Sequence, residues 1–363
     1  MRKLATALAA CAAFLASAAI VAPAWAAPAI APKEGNFVVR DFKFRSGETL
    51  PELKLHYTTF GEPKRDAAGH VTNAVMVLHG TGGTGKQFLN PAFADTLMAP
   101  GGLLDPAKYY VILPDGIGHG QSSKPSDGLR AKFPKYDYDD MVLAQYLLLT
   151  QGLKVDHLRL LLGTSMGCMH GFVWGETYPD FADALAPFAC LPNEIAGRNR
   201  IWRKLLIDAV TQDPAWKGGD YVQEPREGLR TALGLLMVAG LAPLPTQIAQ
   251  PTRDAADKFV DDYFAARLSA LDANDLIYQV AASRNYNPSP RLESITQPVL
   301  WINSADDFIN PPELGIAEVQ AKRLKHGTFV LLPASEKTRG HGSHTIAALW
   351  KDRLAALMKA TER

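Results

Sequence analysis

Apolar and polar positions along the chain alternate between short continuous apolar runs and longer stretches with helical periodicity. Eight runs are typical of strands: residues 36–44, 53–60, 74–80, 109–115, 158–165, 182–189, 298–305 and 328–335. The first two form a hairpin pattern, and the other six have the continuous Val, Ile and Leu content of buried parallel strands. Helical patterns lie between them, for example over residues 137–153, 166–178 and 344–360. The alternation predicts an α/β fold with a mostly parallel eight-stranded sheet and helices on both faces.

One block, residues 191–292, interrupts this alternation. It carries helical patterns and loops rich in Pro and Asp, and the strand pattern resumes after it. We interpret it as a helical cap inserted into a core of residues 27–190 and 293–363. An independent second domain is the alternative.

The first 30 residues have the layout of a secretory signal peptide. Arg2 and Lys3 precede an apolar stretch, and Ala24-Trp25-Ala26 forms a small-residue cleavage pattern, so residues 1–26 are the expected signal peptide. An uncleaved membrane anchor is the alternative, but the stretch is of marginal spanning length. We therefore expect a periplasmic or secreted protein without a stable membrane anchor.

The composition sets limits on the partners. The chain has 363 residues, 47% of them hydrophobic, and a net charge of +1. The length suits one large domain with insertions. The balanced charge leaves no electrostatic footprint for nucleic acid, which we do not expect as a partner.

Two cysteines, Cys168 and Cys190, remain after removal of the predicted signal peptide. An oxidising compartment would allow them to form a disulfide. Two buried free thiols are the simpler interpretation, and we prefer it.

Residues 163–167 read Gly-Thr-Ser-Met-Gly, directly after an apolar run and directly before a helical pattern. This is the G-x-S-x-G nucleophile elbow in its required strand-turn-helix context. The glycines allow a strained turn that presents the Ser165 hydroxyl above the strand ends. Ser165 is therefore the candidate nucleophile.

A serine hydroxyl needs a base, and the order expected for this fold is Ser, then Asp or Glu, then His. Asp307 follows the seventh predicted strand, with Asp306 as its competitor, and His341 follows the eighth. His344 fits better as an early residue of the closing helix. A metal site at His341 and His344 would lack further clustered ligands, so we expect neither a metal nor a cofactor.

The loop after the third predicted strand reads His-Gly-Thr-Gly-Gly, and residues 80–86 also match the P-loop pattern G-x-x-x-x-G-K. Gln87 stands where a P-loop needs Ser or Thr to hold magnesium. The expected acyl chemistry instead needs two backbone donors for an oxyanion. We assign them to the amides of Thr81 and Met166.

These motifs resemble the α/β-hydrolase superfamily over nearly all of the predicted mature chain, and within it the homoserine O-acetyltransferase-like branch. The likeness lies in "GTSMGCMHGFVWGETYPD" (163–180), "DPAWKGGDY" (213–221), "DDFINPPE" (306–313) and "GHGSH" (340–344). The resemblance implies an α/β-hydrolase fold with Ser165 as nucleophile, Asp307 as acid and His341 as base.

Several positions depart from that branch. The resemblance implies glycines where this chain has Thr164 and Cys168, and a substrate-binding aspartate where it has Gly342. No arginine clearly matches the one that holds the substrate carboxylate, although Arg203 lies nearby. Without these charges a zwitterionic amino acid has little to hold it.

We therefore expect an exported serine hydrolase that cleaves a carboxylic ester or related acyl bond in a small molecule. An acyltransferase that passes the acyl group to an alcohol or amine is the alternative. The apolar run at 232–245 either lines an acyl pocket or forms a buried cap helix or a homodimer face.

Overall fold

The computed structural model describes residues 31–362, so the predicted signal peptide lies outside the described residues. The strands, numbered in chain order, are β1 (Lys33–Lys43), β2 (Thr49–Phe60), β3 (Ala74–Leu78), β4 (Tyr110–Pro114), β5 (Leu160–Thr164), β6 (Leu185–Phe188), β7 (Val299–Ser304) and β8 (Gly327–Leu332). The α-helices are α1 (Pro91–Leu97), α2 (Tyr138–Leu147), α3 (Met166–Thr177), α4 (Gly197–Thr211), α5 (Arg226–Gly240), α6 (Pro243–Ala249), α7 (Arg253–Arg267), α8 (Ala273–Ala281), α9 (Ile316–Ala321) and α10 (Lys351–Ala360).

Short helical turns complete the helical structure. One π turn, Leu148–Gly152, continues α2. The 3₁₀ turns are Gly85–Leu89, Pro125–Asp127, Arg130–Lys132, Pro214–Gly219, Leu268–Ala270, Ala282–Asn285, Ser289–Ser294, Pro312–Leu314, Gly342–Thr345 and Ala347–Leu349.

The eight strands form one sheet in the order β1-β2-β4-β3-β5-β6-β7-β8. β1 and β2 form the predicted antiparallel hairpin, and β2 also runs antiparallel to β4. The remaining neighbours are parallel, as the continuous apolar runs predict. The α/β fold with a mostly parallel eight-stranded sheet is therefore confirmed.

Both faces of the sheet are covered, because alternate residues of each strand point to opposite sides. On β3, Met76 belongs to the same buried cluster as Phe172 of α3. Its neighbour Val77 belongs to a second cluster with Phe93 of α1 and Leu354 of α10. This two-sided burial holds the carboxyl ends of β3, β5, β7 and β8 along one edge of the sheet.

Between β6 and β7 the chain forms helices α4 to α8, with an apolar cluster of their own. Leu206 of α4, Leu229 of α5 and Val280 of α8 are buried in that cluster. Phe308, in the loop after β7, packs against it from the sheet side. These helices therefore lie against the edge of the sheet where β7 ends.

Two predictions from the sequence are wrong. Cys168 and Cys190 are not free thiols: they form a disulfide with their Cα atoms 5.9 Å apart. The sequence could not show that α3 and the end of β6 bring the two sulfur atoms together. The closing helix begins at Lys351, so His344 lies in the preceding 3₁₀ turn, Gly342–Thr345, rather than in that helix.

Within the described part of the chain, no single helix has the length and apolar character needed to cross a membrane. Among the helices of residues 31–362, only α5 and α6 pass that test when they are counted together, and they are bent by 107° at the break between them.

Candidate active site

Ser165 stands alone between β5, which ends at Thr164, and α3, which begins at Met166. Its backbone has φ 56° and ψ −111°, a conformation that non-glycine residues rarely adopt. The motif glycines make room for it. A Cβ atom on Gly163 would lie 2.0 Å from the Gly167 carbonyl oxygen, and one on Gly167 would lie 2.2 Å from the Leu78 carbonyl oxygen. The predicted elbow is therefore a tight backbone crossing that only glycine allows.

The structure brings Ser165, His341 and Asp307 into one hydrogen-bonded chain. His341 Nε2 lies 2.7 Å from Ser165 Oγ. His341 Nδ1 lies 2.9 Å from Asp307 Oδ2. Because a carboxylate only accepts, Nδ1 carries the proton and Nε2 is free to accept the serine proton. This is the arrangement that activates a serine hydroxyl.

Asp307 is buried, with 2% of its surface exposed, yet its pKa lies below the usual range. Burial by itself would raise the pKa. Burial is the largest single cause, but the electrostatic attraction of His341 and the hydrogen bonds from His341, from Asn310 and from the Ile309 amide together outweigh it. The carboxylate is therefore ionised where it meets the imidazole.

Asp306, the alternative candidate for the acid, is hydrogen-bonded to residues other than His341. Its carboxylate accepts hydrogen bonds from the hydroxyls of Ser304 and Thr338, the latter at 2.7 Å. It also accepts the Gly340 amide at 3.3 Å. Asp306 thus holds the loop that carries His341, whereas Asp307 contacts the imidazole itself.

His344 lies beside His341, with ring centroids 5.3 Å apart and the rings nearly perpendicular. Burial, followed by the neighbouring His341, lowers the pKa of His344 to about 3. The ring is therefore neutral at physiological pH. Within residues 31–362, no three His, Cys, Asp or Glu side chains are grouped as metal ligands would be.

The loop after β3 lies against the serine. A Cβ atom on Gly80 would be 3.2 Å from Ser165 Cβ, so the loop backbone passes within contact distance of the reacting group. Thr81 follows Gly80 in this loop. Met166 is the first residue of α3, so its amide has no acceptor inside the helix. Both predicted donor amides therefore belong to backbone that adjoins Ser165.

His79 fixes this loop, a role that the sequence analysis did not assign. Its Nε2 accepts the Gly116 amide at 2.9 Å, so Nδ1 carries the proton and donates to the Gly80 carbonyl oxygen at 2.8 Å. Burial lowers its pKa and favours this neutral form. Its position next to Gly80 was the one available signal.

The two side chains at the end of the P-loop pattern, Lys86 and Gln87, both bind other protein side chains. Lys86 forms an ion pair with Glu34 at 2.7 Å. Gln87 donates to the Thr164 hydroxyl at 3.2 Å and lies directly beneath Gly83, where a Cβ atom would be 2.1 Å from its Oε1. The loop is thus anchored to β5 by protein side chains at the position where a P-loop holds magnesium.

Asn310 is the second residue that the sequence analysis missed. It is buried, and its Nδ2 donates to Asp307 Oδ2 at 3.0 Å and to the Ala189 carbonyl oxygen at 3.1 Å. An asparagine in a loop rich in Asp and Pro carries no sequence signal for such a contact. The acid therefore has a side-chain partner besides His341.

Arg203 is buried in α4 and donates to Asn199 Oδ1 at 2.9 Å and to Ser283 Oγ at 3.3 Å. Burial lowers its pKa. Its guanidinium is thus bound to neutral side chains of the helical block.

A cavity of about 860 Å³ adjoins the acid loop. Its lining includes Leu241 and Pro243, where α5 is joined to α6, and Phe308 and Ile309 from the loop after β7. Asp307 borders it as well. The apolar run at 232–245 thus contributes to a cavity wall next to the hydrogen-bonded chain.

Comparison with known proteins agrees with this fold. The profile of the family described as "alpha/beta hydrolase fold" matches residues 73–338. A homoserine O-acetyltransferase of Geobacter metallireducens is 32% identical over 312 residues, which cover 75% of this chain and 82% of that protein. A probable acyltransferase of Methanothermobacter thermautotrophicus is 29% identical over 279 residues, with 77% and 84% of the two chains covered.

A similar solved structure is that of the acetyl esterase MekB, with a TM-score of 0.75 and 25% identity. The alignment covers 91% of this chain and 97% of that one. The chain belongs to the α/β-hydrolase family, in its homoserine O-acetyltransferase-like branch.

Proposed function

We propose that this protein is a serine hydrolase that cleaves a small-molecule carboxylic ester through an acyl-enzyme intermediate. The observation that carries the proposal is the chain of two hydrogen bonds, from Ser165 Oγ to His341 Nε2 and from His341 Nδ1 to Asp307 Oδ2. No metal or organic cofactor takes part in this chemistry.

In the first half-reaction, Ser165 Oγ attacks the ester carbonyl carbon while its proton passes to His341 Nε2. The amides of Thr81 and Met166 stabilise the oxyanion. The tetrahedral intermediate collapses, and His341 gives the proton to the leaving alcohol. Asp307 stabilises the imidazolium that exists between these steps.

In the second half-reaction, water attacks the acyl carbon and gives one proton to His341. The new tetrahedral intermediate expels Ser165 Oγ, which takes the proton back, and the carboxylic acid leaves. The resemblance to the transferase branch implies an aspartate after the catalytic histidine, and Gly342 in that place favours water over an amino-acid acceptor.

Acyl transfer to an alcohol or amine is the second candidate function. The curated relatives favour it, since they are described as acyltransferases. The acetyl esterase among the similar structures favours hydrolysis. Both reactions share the first half-reaction and differ only in what attacks the acyl-enzyme.

Export is part of this proposal. The signal-peptide layout of residues 1–26 supports it, and the Cys168–Cys190 disulfide suits an oxidising compartment. N-terminal sequencing of the protein recovered from the periplasm or medium tests it. A chain that begins at Ala27 supports export, and a full-length chain confined to the cytoplasm contradicts it.

The function is tested with burst and steady-state kinetics on p-nitrophenyl esters of graded acyl length, with and without added alcohols or homoserine. Steady hydrolysis in water is expected, with losses of roughly 10³-fold or more in Ser165→Ala, His341→Ala and Asp307→Asn. A burst that stalls until an acceptor is added would identify a transferase instead. A folded protein with neither burst nor turnover would contradict both functions.

A further inference from the structure

The amide of Asn310 uses both of its hydrogens at the acid loop. Asn310 is 4% exposed, and its Nδ2 donates to Asp307 Oδ2 at 3.0 Å and to the Ala189 carbonyl oxygen at 3.1 Å. Since both partners only accept, the orientation of the amide is determined by its contacts. The side chain thus joins the acid to the backbone at the end of β6.

That backbone also holds the serine. The carbonyl oxygen of Phe188 accepts the Ser165 amide at 2.8 Å. Ala189 follows with φ 66°, in the left-handed region that costs free energy for a residue with a Cβ atom. Cys190 comes next and is bonded to Cys168, one turn into α3 from the serine. The consecutive residues 188–190 therefore bind the Ser165 amide, the Asn310 side chain and, through the disulfide, helix α3.

The carboxylate plane of an aspartate is loosely determined by its own torsional preference, because χ2 of Asp is broad. His341 Nδ1 binds Oδ2 of Asp307, and the Ile309 amide binds Oδ1 at 2.8 Å. Asn310 adds a second donor on Oδ2, the oxygen that faces the imidazole. Among residues 31–362, Asn310 is the one donor that holds this oxygen from a side other than that of the histidine.

We propose that Asn310 is a positioning residue for the reaction, which holds Asp307 Oδ2 on the line to His341 Nδ1 and ties it to the backbone behind Ser165. This inference rests on the proposed function. It assigns to Asn310 no contact with the substrate.

The groups facing Asp307 set the expected pH dependence. His341 is its partner, His344 interacts with it across the same site, and the adjacent Asp306 is turned toward Thr338. The hydrogen bond from Asn310 is one of the causes that keep the pKa of Asp307 low. Its loss would let Asp307 take up a proton at higher pH, so the acidic limb of the rate profile should move to higher pH.

The test compares Asn310→Leu with the control Asn303→Leu. Asn303 is an equally buried amide that bonds Cys190 at its N–H and its carbonyl, and no hydrogen bond of the described chain joins it to Asp307. In Asn310→Leu, kcat should fall about 10- to 100-fold, with KM within about twofold and the acidic limb displaced upward. In Asn303→Leu the urea midpoint of unfolding should fall, whereas the pH dependence of the rate should stay as in the wild type.

A readout independent of turnover is the downfield proton resonance of the His341 Nδ1–H that is bonded to Asp307. It should be present in the wild type and in Asn303→Leu, and should broaden or disappear in Asn310→Leu. If Asn310→Leu does not fold, Asn310→Ser makes the same comparison with a smaller side chain that cannot reach Asp307.

The outcomes separate the two proposals. A wild-type protein that turns over no ester and transfers no acyl group overturns the proposed function, while the resonance still reports on Asn310. An active wild type whose Asn310 variants keep kcat, rate profile and resonance overturns the inference alone. Equal changes in the Asn303 and Asn310 variants overturn it too, because they would reveal a purely structural role.

Discussion

Two adjacent carboxylates, Asp306 and Asp307, contact different parts of the molecule. Asp307 bonds the His341 imidazole, whereas Asp306 bonds Thr338 and the Gly340 amide. Asp307→Asn should therefore lower kcat by roughly 10³- to 10⁴-fold, since the imidazole loses its charged partner. Asp306→Asn should instead lower stability by about 1–2 kcal/mol and keep most of the activity.

Steady-state ester hydrolysis and urea unfolding of the two variants measure these effects side by side. Equal losses of activity in both would show that the loop around His341, rather than the charge of Asp307, limits the reaction.

Residues of this kind differ in how far the sequence reveals them. Ser165 lies in a motif, and the candidate acid and base follow in a fixed order, so the sequence could name the serine and the base and favour Asp307 over its neighbour Asp306 as the acid. His79 and Asn310 lie in no motif that specifies their contacts. The partner of Asn310 at Ala189 is 121 residues away in sequence, and periodicity carries no signal for such a pairing.

At the scale of elements, the glycines of α3 differ in what surrounds them. A Cβ atom on Gly167 would lie 2.2 Å from a backbone oxygen of β3, whereas one on Gly171 would have its nearest contacts at 3.6 Å. Gly167→Ala should therefore displace α3 from β3 and cost roughly 2–4 kcal/mol together with most of the activity. Gly171→Ala should be neutral or should stabilise the protein by about 0.5–1 kcal/mol.

Thermal and urea unfolding of the two variants, with activity measured on the same samples, checks this pair. A Gly167→Ala protein that is as stable and active as the wild type would show that the crossing of α3 and β3 can relax at no cost.

The disulfide joins two elements on the nucleophile side of the sheet. Cys168 in α3 and Cys190 after β6 close a loop with a sequence separation of 22. In the chain-entropy account, such a loop stabilises the fold by roughly 3 kcal/mol. The variant with both Cys168→Ala and Cys190→Ala should therefore have an unfolding free energy lower by about that amount than the oxidised wild type, as measured by urea unfolding.

Reduced wild type provides the control, because it lacks the bridge but keeps both side chains. It should match the double variant in unfolding free energy. An oxidised protein no more stable than the reduced one would contradict the prediction.

At the scale of the whole molecule, several buried histidines are held in the neutral form. Burial lowers the pKa values of His79 and His119, and lowers those of His170 and His344 to about 3. Between about pH 6.5 and 3 the unfolded chain binds protons at His170 and His344 and the folded chain does not. Their contribution to stability is therefore present above pH 6.5 and is lost as the pH falls.

The variant His170→Phe isolates one such ring, which is buried against Tyr138. Its unfolding free energy should decline less steeply with falling pH than that of the wild type, by up to about 1.4 kcal/mol per pH unit. Urea unfolding at several values from pH 7 to 4 measures the slope. Parallel slopes for the two proteins would show that His170 takes up a proton in the folded state.

The sequence by itself determined the sheet, because short continuous apolar runs that alternate with helical patterns are typical of strands buried on both faces. It also determined which serine, acid and base to examine, because the elbow motif and the order of its partners are local in sequence. The strands and the elbow motif depend on residues that are close together in the sequence, so the pattern of residue types is enough to predict them.

Only the tertiary structure decided between Asp306 and Asp307, joined Cys168 to Cys190, and showed the contact of Asn310. Each of these depends on the direction of a side chain at the end of a strand and on residues from distant parts of the chain. Side-chain direction is set by how the elements pack, and no periodicity along the chain encodes it.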